Sequence, residues 1–319
     1  MGYLLNGVWN DGWYETAGTA GEFVRPDAKF RNHLTADGSS GYPAEPGRYH
    51  LYVSMACPWA HRTLIFRKLK NLEAAISVSV VDPVMSSEGW AFSERLPDHI
   101  NGFSHLHQLY TKTEPRYSGR VTVPVLWDKE RNLIVNNESA EIIRMLNTEF
   151  AAYVPLGHDY YPVRLRSEID DVNAFVYNDI NNGVYRCGFA GTQAAYESAA
   201  RRLFHALDTL EDRLSRTRYL IASTLTEADW RLFATLIRFD AVYHGHFKCN
   251  LRRIEDYSNL SAYLRDLYQT PGIAETVSLD QIKRHYYMSH EHINPTRIVP
   301  LGPELDFRRL HDRERFACN

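Results

Sequence analysis

Residues 51–63 read LYVSMACPWAHRT and predict a strand that leads directly into a helix. The apolar run that ends at Val53 is typical of a buried strand. Pro58 is tolerated in the first turn of a helix because its missing N–H would have no partner there, and good helix formers follow as far as Lys70. Cys57 is therefore expected at or just before the amino end of a helix.

This position favours the thiolate form of Cys57. Amide groups and the macrodipole at the amino end of a helix attract negative charge, and such sites lower a thiol pKa from about 8.5 to roughly 3.5–7.5. The alternative is a buried and inert cysteine, the common fate of a thiol outside a disulfide. Because residue 60 is alanine, a redox partner sulfur would have to come from another molecule, of which glutathione is the obvious candidate.

Size and composition describe an ordinary globular protein large enough for two domains. The chain has 319 residues, 44% of them hydrophobic and 24% charged, with a formal net charge of −3. This balance gives no reason to expect nucleic acid or a membrane as a partner, and no apolar run approaches the length of about 18 residues that a membrane span needs.

The cysteines and the first residues predict a cytoplasmic protein. No secretory signal is visible at the start, and the cysteines are too few and too scattered for a disulfide framework: Cys57, Cys187, Cys249 and Cys318. No Cys/His pair has zinc-like spacing with a matching second pair, so no metal is expected.

Residues 49–147 predict an α/β domain. Strands at 49–55 and about 75–81 enclose the helix at about 59–70, an order that implies a parallel pair of strands. Residues 84–118 are expected to be an insertion with one short helical stretch near 104–110.

The second half of this domain predicts a hairpin and a helix. Residues 121–128 and 133–135 form the hairpin, and Pro124 indicates a bend or a cis peptide at the strand entrance. Asn136 to Ser139 then cap a helix at about 139–147. The order β-α-β followed by β-β-α, with a thiol after the first strand, is the thioredoxin arrangement.

The remaining segments complete the predicted organisation. Residues 1–48 are interpreted as an extended N-terminal arm, 148–162 as a linker, 163–290 as an all-helical domain and 291–319 as a C-terminal tail too rich in proline for a helix. Within the helical domain, Thr226 to Asp229 resemble a helix start with a local capping network.

Several motifs resemble the Xi class of glutathione transferases, the glutathionyl-hydroquinone reductases. They are CPWAHR at 57–62, VPVLWD at 123–128, NNESAEIIR at 136–144, NNGVY at 181–185, RFD at 238–240, HFKCN at 246–250 and the stretch 290–303. The resemblance covers nearly the whole chain after residue 40. It implies a thioredoxin-like N-terminal domain joined to an all-α domain, glutathione as co-substrate, and a homodimer.

The resemblance also implies a reaction. Cys57 attacks the sulfur of a glutathionyl-hydroquinone, the hydroquinone leaves, and a second glutathione resolves the Cys57–glutathione disulfide to give oxidised glutathione. A thiol of low pKa serves both steps, first as nucleophile and then as leaving group. Tyr185 and Tyr286 match the family tyrosines that line the aromatic pocket, where a phenol would stabilise the departing ring; simple packing is the alternative for each.

Five further residues are predicted to hold glutathione. Glu138 and Ser139 suit its γ-glutamyl end, although a helix-capping role would explain them equally. Val123 offers its backbone to the cysteinyl part in the manner of an added strand. Trp90 and Arg120 match family residues that cover the ligand and pair with a carboxylate.

Two other functions are considered. An omega-like thioltransferase or dehydroascorbate reductase would share Cys57 and the glutathione site but would lack the tyrosine pocket. A non-enzymatic ligand carrier of the same fold would usually lose the nucleophile or the γ-glutamyl site, and this chain keeps both Cys57 and the Glu138–Ser139 pair.

Overall fold

The computed structural model describes residues 2–154 and 157–316. Met1, two residues of the predicted linker (Pro155 and Leu156) and the last three residues of the tail, including Cys318, lie outside the described residues. The chain divides into two compact units. The first unit comprises Met1–Trp13, Pro26–Asp159 and Thr276–Ile298, and the second comprises Tyr14–Arg25, Tyr160–Glu275 and Val299–Asn319.

The strands all lie in the first unit. They are β1 (Gly2–Leu5), β2 (Val8–Asp11), β3 (Tyr49–Val53), β4 (Ser77–Val80), β5 (Gly119–Arg120), β6 (Val125–Asp128) and β7 (Leu133–Asn136). The helices of this unit are α1 (Pro58–Leu69), α2 (His107–Thr113), α3 (Ser139–Thr148) and, near the other end of the chain, α9 (Leu279–Ser289).

A mixed four-stranded sheet in the order β4-β3-β6-β7 forms the centre of the first unit. β3 and β4 are parallel, whereas β3 with β6 and β6 with β7 are antiparallel. Every residue of β3 is buried, including His50, which is the one strongly polar residue of this largely apolar strand. α1 connects the parallel strands and packs against α3. The predicted thioredoxin-like order is therefore confirmed.

The peptide bond between Val123 and Pro124 is cis, as the sequence suggested. β6 begins at Val125, directly after the proline. Pro124, which has no N–H to donate, therefore stands at the entrance of the strand and not within its ladder.

The N-terminal arm contains a hairpin that periodicity did not reveal. β1 pairs with β2 and, on its other side, with the two-residue strand β5, so that the three form a separate antiparallel sheet. The strands are four, four and two residues long, too short for an alternating pattern to be recognised. β5 closes the insertion at 84–118, so the hairpin anchors the end of that insertion.

The second unit is helical. Its α-helices are α4 (Arg166–Phe175), α5 (Gly183–Gly188), α6 (Gln193–Leu214), α7 (Glu227–Arg238) and α8 (Ser258–Tyr268), with π-helical turns at Val176–Asn181 and Phe239–Tyr243. Among its described residues no named element is a strand, which confirms the predicted all-α half. None of the helices in the described part of the chain combines the length and apolarity needed to span a bilayer.

The compact units differ from the predicted segments in two places. α9 lies in the first unit, although the sequence placed it at the end of the helical domain. Residues 14–25 of the predicted arm lie in the second unit. Both exchanges involve segments far apart in sequence, so local patterns carry no signal for them.

Candidate functional site

Cys57 is the residue immediately before α1. Its backbone is extended (φ −76°, ψ 122°), its carbonyl oxygen accepts a hydrogen bond from His61 N at 3.0 Å, and its own N–H donates to Ser54 O at 3.2 Å. The side chain is half-buried and makes no capping hydrogen bond to the helix amides. The sulfur therefore lies at the positive end of a twelve-residue helix, where negative charge is stabilised.

The structure brings Cys57 together with Val123. The Sγ–H of Cys57 donates to the carbonyl oxygen of Val123 at 3.5 Å. Val123 is buried and precedes the cis peptide bond to Pro124. Two residues that the sequence selected for different reasons are thus neighbours, and the backbone that was predicted to meet the cysteinyl part of glutathione lies beside the sulfur.

Glu138 and Ser139 start α3. Glu138 is the cap of this helix, since its Oε1 accepts from Ala140 N at 2.9 Å. Ser139 Oγ accepts from Arg62 Nη1 at 3.4 Å, and the Arg62 guanidinium lies over the Trp59 ring at 4.5 Å. A side chain of α1 therefore reaches the start of α3, a contact that local sequence patterns do not predict. The capping role of Glu138 is observed, and its glutathione role stays a prediction.

Trp90 and Tyr286 are linked through a histidine that the sequence analysis did not select. The Trp90 ring stacks on His285 at 4.7 Å with an interplanar angle of 19°. Tyr286, which is 1% exposed, meets His285 and His290 edge-on at 5.1 and 5.3 Å. The Nδ1 of His285 is 2.9 Å from Pro83 O, which fixes the ring. His285 directly precedes Tyr286 on α9. Because Trp90 is 195 positions away in sequence, only the fold reveals its contact with His285.

Arg120 is occupied by backbone carbonyls of the N-terminal arm. Its Nη1 donates to Gly12 O at 2.7 Å and to Gly2 O at 3.3 Å, while Nη2 donates to Trp13 O at 2.8 Å. The guanidinium also lies over the Tyr3 ring at 5.4 Å. This side chain thus holds the arm in place. Its predicted pairing with a glutathione carboxylate stays a prediction.

A cavity of about 690 Å³ in the first unit is formed by three segments distant in sequence. It is lined by Asp11, Gly12 and Trp13 of the arm, Met85, Ser86 and Ser87 of the insertion, and Ser289, Glu291, His292 and Arg297 around the end of α9. Met85 N donates to Ser289 Oγ at 3.0 Å, which joins two of these segments. None of the predicted site residues lines this cavity, although Glu291, His292 and Arg297 belong to the motif at 290–303.

Tyr185 lies on α5 in the second unit, within a group of aromatic rings. The group comprises Tyr14, Phe23, Tyr185, Phe189, Tyr243 and Phe247, whose neighbouring ring centroids lie 4.9–6.4 Å apart. The guanidinium of Arg25 lies over the Tyr185 ring at 4.6 Å, and its Nε donates to Asn182 Oδ1 at 2.8 Å. Tyr185 therefore has an aromatic setting with one cation on its ring face.

The other described cysteines differ from Cys57. Cys187 and Cys249 are both buried in the second unit. Burial, reinforced by the neighbouring Cys187 thiol, raises the pKa of Cys249 well above its ordinary value. The Sγ of Cys249 is 3.9 Å from Phe247 O, a contact that suits a protonated thiol. Among these three, Cys57 alone combines partial exposure with a helix amino end.

Comparisons with known proteins agree with these observations. Residues 56–149 match the family model of the glutathione S-transferase N-terminal domain, and residues 193–266 match that of the C-terminal domain. The glutathionyl-hydroquinone reductase YqjG of Escherichia coli (strain K12) is 54% identical, over 98% of this chain and 99% of YqjG. The glutathionyl-hydroquinone reductase PcpF of Sphingobium chlorophenolicum is also 54% identical, over 95% and 96% of the two chains.

Solved structures give the same result. A glutathione-bound structure of YqjG from Escherichia coli K-12 has a TM-score of 0.90 at 51% identity and covers 98% of this chain and 99% of that chain. A Xi class transferase from Natrialba magadii has a TM-score of 0.92 at 48% identity, with 99% and 97% of the two chains covered. The likeness extends over both halves of the molecule.

Proposed function

Because this chain belongs to the Xi class of glutathione S-transferases, the family of the glutathionyl-hydroquinone reductases, we propose that it is the enzyme that reduces glutathionyl-hydroquinones to free hydroquinones. Glutathione is its co-substrate. The observation that supports this function best is the sulfur of Cys57 at the amino end of α1, half-buried and beside Val123.

The reaction has two steps, and each transfers the glutathionyl group from one partner to another. In the first, the thiolate of Cys57 attacks the glutathione sulfur of the conjugate. The C–S bond to the ring breaks, the ring carbon takes a proton, and a Cys57–glutathione disulfide forms. In the second, a glutathione thiolate attacks the glutathione sulfur of that disulfide and releases Cys57 as a thiolate together with oxidised glutathione. One conjugate and one glutathione thus give one hydroquinone and one oxidised glutathione.

Four side chains and one backbone segment hold the tripeptide in this proposal. Glu138 and Ser139 at the start of α3 receive the γ-glutamyl ammonium and carboxylate, and the backbone of Val123 pairs with the cysteinyl residue. Trp90 covers the ligand, and Arg120 pairs with a carboxylate. The support is the family membership together with the local geometry, in which a helix amino end and a strand entrance offer donors and acceptors.

The phenols of Tyr185 and Tyr286 assist the departure of the ring. Breaking a bond between carbon and sulfur leaves negative charge on the aromatic portion, so a phenol that donates a hydrogen bond to the hydroquinone oxygen lowers the barrier. Both tyrosines are buried among aromatic rings, an environment suited to an aromatic substrate.

The proposal includes a cytoplasmic homodimer. The described cysteines form no disulfides with one another, which fits a reducing compartment. Light scattering of the purified protein measures the oligomeric state directly, and a monomeric mass at micromolar concentration would contradict the dimer.

The deciding experiment follows the sulfur. The enzyme is mixed with one equivalent of a glutathionyl-hydroquinone in the absence of free glutathione, and its intact mass and the released aromatic are measured. We expect one glutathione on Cys57 and an equal amount of hydroquinone. The matched control is Cys187→Ser, which removes a thiol but should keep the adduct. An adduct on another residue, or no adduct, would contradict the proposal. In a separate steady-state assay with glutathione, faster turnover on dehydroascorbate than on the conjugate would also contradict it.

A further inference from the structure

The insertion between β4 and β5 carries a cluster of metal-binding side chains outside the glutathione site. Glu88, His105 and His107 each present one ligand atom, and these three atoms lie within 4.8 Å of one another. All three residues lie in the first unit. None of them takes part in the reaction proposed above.

His107 is held on two sides. Its Nε2 is 3.1 Å from Glu88 Oε2, and its ring stacks on Trp9 of β2 at 5.3 Å with an interplanar angle of 27°. The His107 side chain is 15% exposed and that of Glu88 is 50% exposed. The imidazole is therefore fixed and largely covered, whereas the carboxylate faces solvent and can adjust.

His105 is oriented by its neighbours in sequence. Its Nδ1 is 3.0 Å from Ser104 Oγ, and that hydroxyl in turn donates to Gln108 Oε1 at 3.2 Å. Because the hydroxyl hydrogen is directed at Gln108, the oxygen is left to accept from the Nδ1–H of His105. This arrangement favours the tautomer with a lone pair on Nε2, and outer hydrogen bonds of this kind commonly orient metal-binding histidines.

The turn that carries Glu88 is also fixed. Ser86 and Gly89 exchange backbone hydrogen bonds at 2.9 and 3.1 Å, and Trp9 Nε1 donates to Ser87 O at 2.9 Å. Gly89 has φ +78°, and a Cβ at this position would lie 2.6 Å from the Trp9 ring. Trp9 thus packs against both the turn and His107, which holds the carboxylate opposite the imidazoles.

We propose that Glu88, His105 and His107 form a binding site for a divalent transition-metal ion of the Zn²⁺ type. Two imidazoles and one carboxylate are a common protein ligand set for zinc, with water in the fourth position. Tetrahedral bonds of about 2.1 Å place ligand atoms about 3.4 Å apart. The distance between His107 Nε2 and Glu88 Oε2 is already 3.1 Å, so closing the site requires adjustment mainly of the exposed Glu88 and of His105.

Such an ion would act on structure. It would join the turn at Glu88 to the start of α2. It would thereby help to hold the segment that carries Trp90, two residues after Glu88. This set differs from the paired cysteines and histidines by which zinc motifs are recognised in a sequence. The ligands here are one carboxylate and two histidines at alternate positions, 17 and 19 residues further along the chain.

The test is calorimetric titration of the full-length chain, without an affinity tag, with ZnCl₂. Both the reference protein and the variants carry Cys57→Ser, so that the reactive thiol contributes no binding. We expect one Zn²⁺ per chain, and an affinity at least about tenfold weaker in each of Glu88→Gln, His105→Gln and His107→Gln. The matched control is His33→Gln, since His33 lies 3.7 Å from Glu141 but belongs to no three-ligand group among the described residues.

Electron paramagnetic resonance of bound Cu²⁺ provides an independent readout. Coupling to two imidazole nitrogens is expected in the reference protein, and coupling to one in His105→Gln or His107→Gln. Circular dichroism verifies that each variant is folded, and the exposed Glu88 provides a variant that should disturb packing least. The site is refuted if Zn²⁺ does not bind, if the three variants bind as the reference does, or if His33→Gln weakens binding equally.

Discussion

Two helices of equal length begin in opposite ways in this molecule. α1 and α7 each have twelve residues. α1 follows Cys57, whose half-buried side chain makes no capping bond, whereas α7 follows Thr226, which is fully buried together with Asp229. One helix start leaves a half-buried thiol without a capping bond, and the other places its polar side chains in a capping network.

The start of α7 shows how complete such a network can be. Asp229 accepts hydrogen bonds from Thr226 N at 2.8 Å, Thr226 Oγ1 at 3.2 Å, Leu220 N at 2.9 Å and the Tyr263 hydroxyl at 2.8 Å. This confirms the capping network predicted at Thr226 to Asp229. The comparison teaches that the first helix lacks a capping interaction, typically worth about 1 kcal/mol, at the position of the proposed nucleophile.

The strongest test of the comparison exchanges the atom at the start of α1. Cys57→Ser should lower reductase turnover by about a thousandfold or more, because a hydroxyl is a poor nucleophile toward sulfur at neutral pH. Glutathione binding and the melting temperature should change little. Steady-state rates, calorimetry and thermal denaturation measure the three effects, with Cys187→Ser as the control. Retained turnover would mean that another group is the nucleophile.

A second test asks whether the helical unit contributes to rate as well as to stability. Tyr185→Phe should lower turnover by a factor of roughly ten to a thousand if its hydroxyl donates to the departing ring. Cys57 alkylation should remain unchanged. Tyr153→Phe, at a position that is 55% exposed, is the matched control. Equal rates for wild type and Tyr185→Phe would reduce this phenol to a packing role.

A third test removes the acceptor at the start of α7. Asp229→Asn should reduce the free energy of unfolding by about 3 kcal/mol, because buried donors lose the carboxylate that satisfies them. Denaturant titration measures this change. Iodoacetamide labelling of Cys57 should proceed at the wild-type rate in the folded variant. A loss below about 1 kcal/mol would show that the network at the start of α7 contributes little to stability.

A fourth test concerns pH and the strand that leads to Cys57. His50 is buried between Ser77 and Ser79, and burial lowers its pKa to about 3. The unfolded chain therefore binds a proton below about pH 6.5 that the folded chain does not, so stability decreases as pH falls from 6.5 toward 3.

The size of this effect is about 1.4 kcal/mol per pH unit at most. His50→Asn should flatten the dependence of the unfolding free energy on pH in that window, while His33→Gln, with an exposed ring, should not. Parallel pH profiles for wild type and His50→Asn would rule out His50 as the source of acid sensitivity.

Local chemistry in the sequence predicted much of the first unit. Cys57 before Pro58, Pro124 at a strand entrance and Glu138 at a helix start each have a backbone preference that tertiary contacts need not supply. The fold class followed from their order along the chain.

The missed features depend on contacts between distant segments. The stacking of Trp90 on His285 joins residues 195 positions apart, and the hold of Arg120 on the N-terminal arm joins residues more than a hundred apart. A periodicity of two or four residues contains no information about such pairs. The same reason explains why α9 was assigned to the helical half.

The hydrogen bonds from Arg120 to Gly2, Gly12 and Trp13 give the first thirteen residues an influence beyond their own hairpin. Proteolytic removal of these residues would take three acceptors away from the Arg120 guanidinium and would leave the two-residue strand β5 without its partner β1. Loss of the first residues would then change the packing of Gly119 and Arg120 at the end of the insertion, just ahead of Val123.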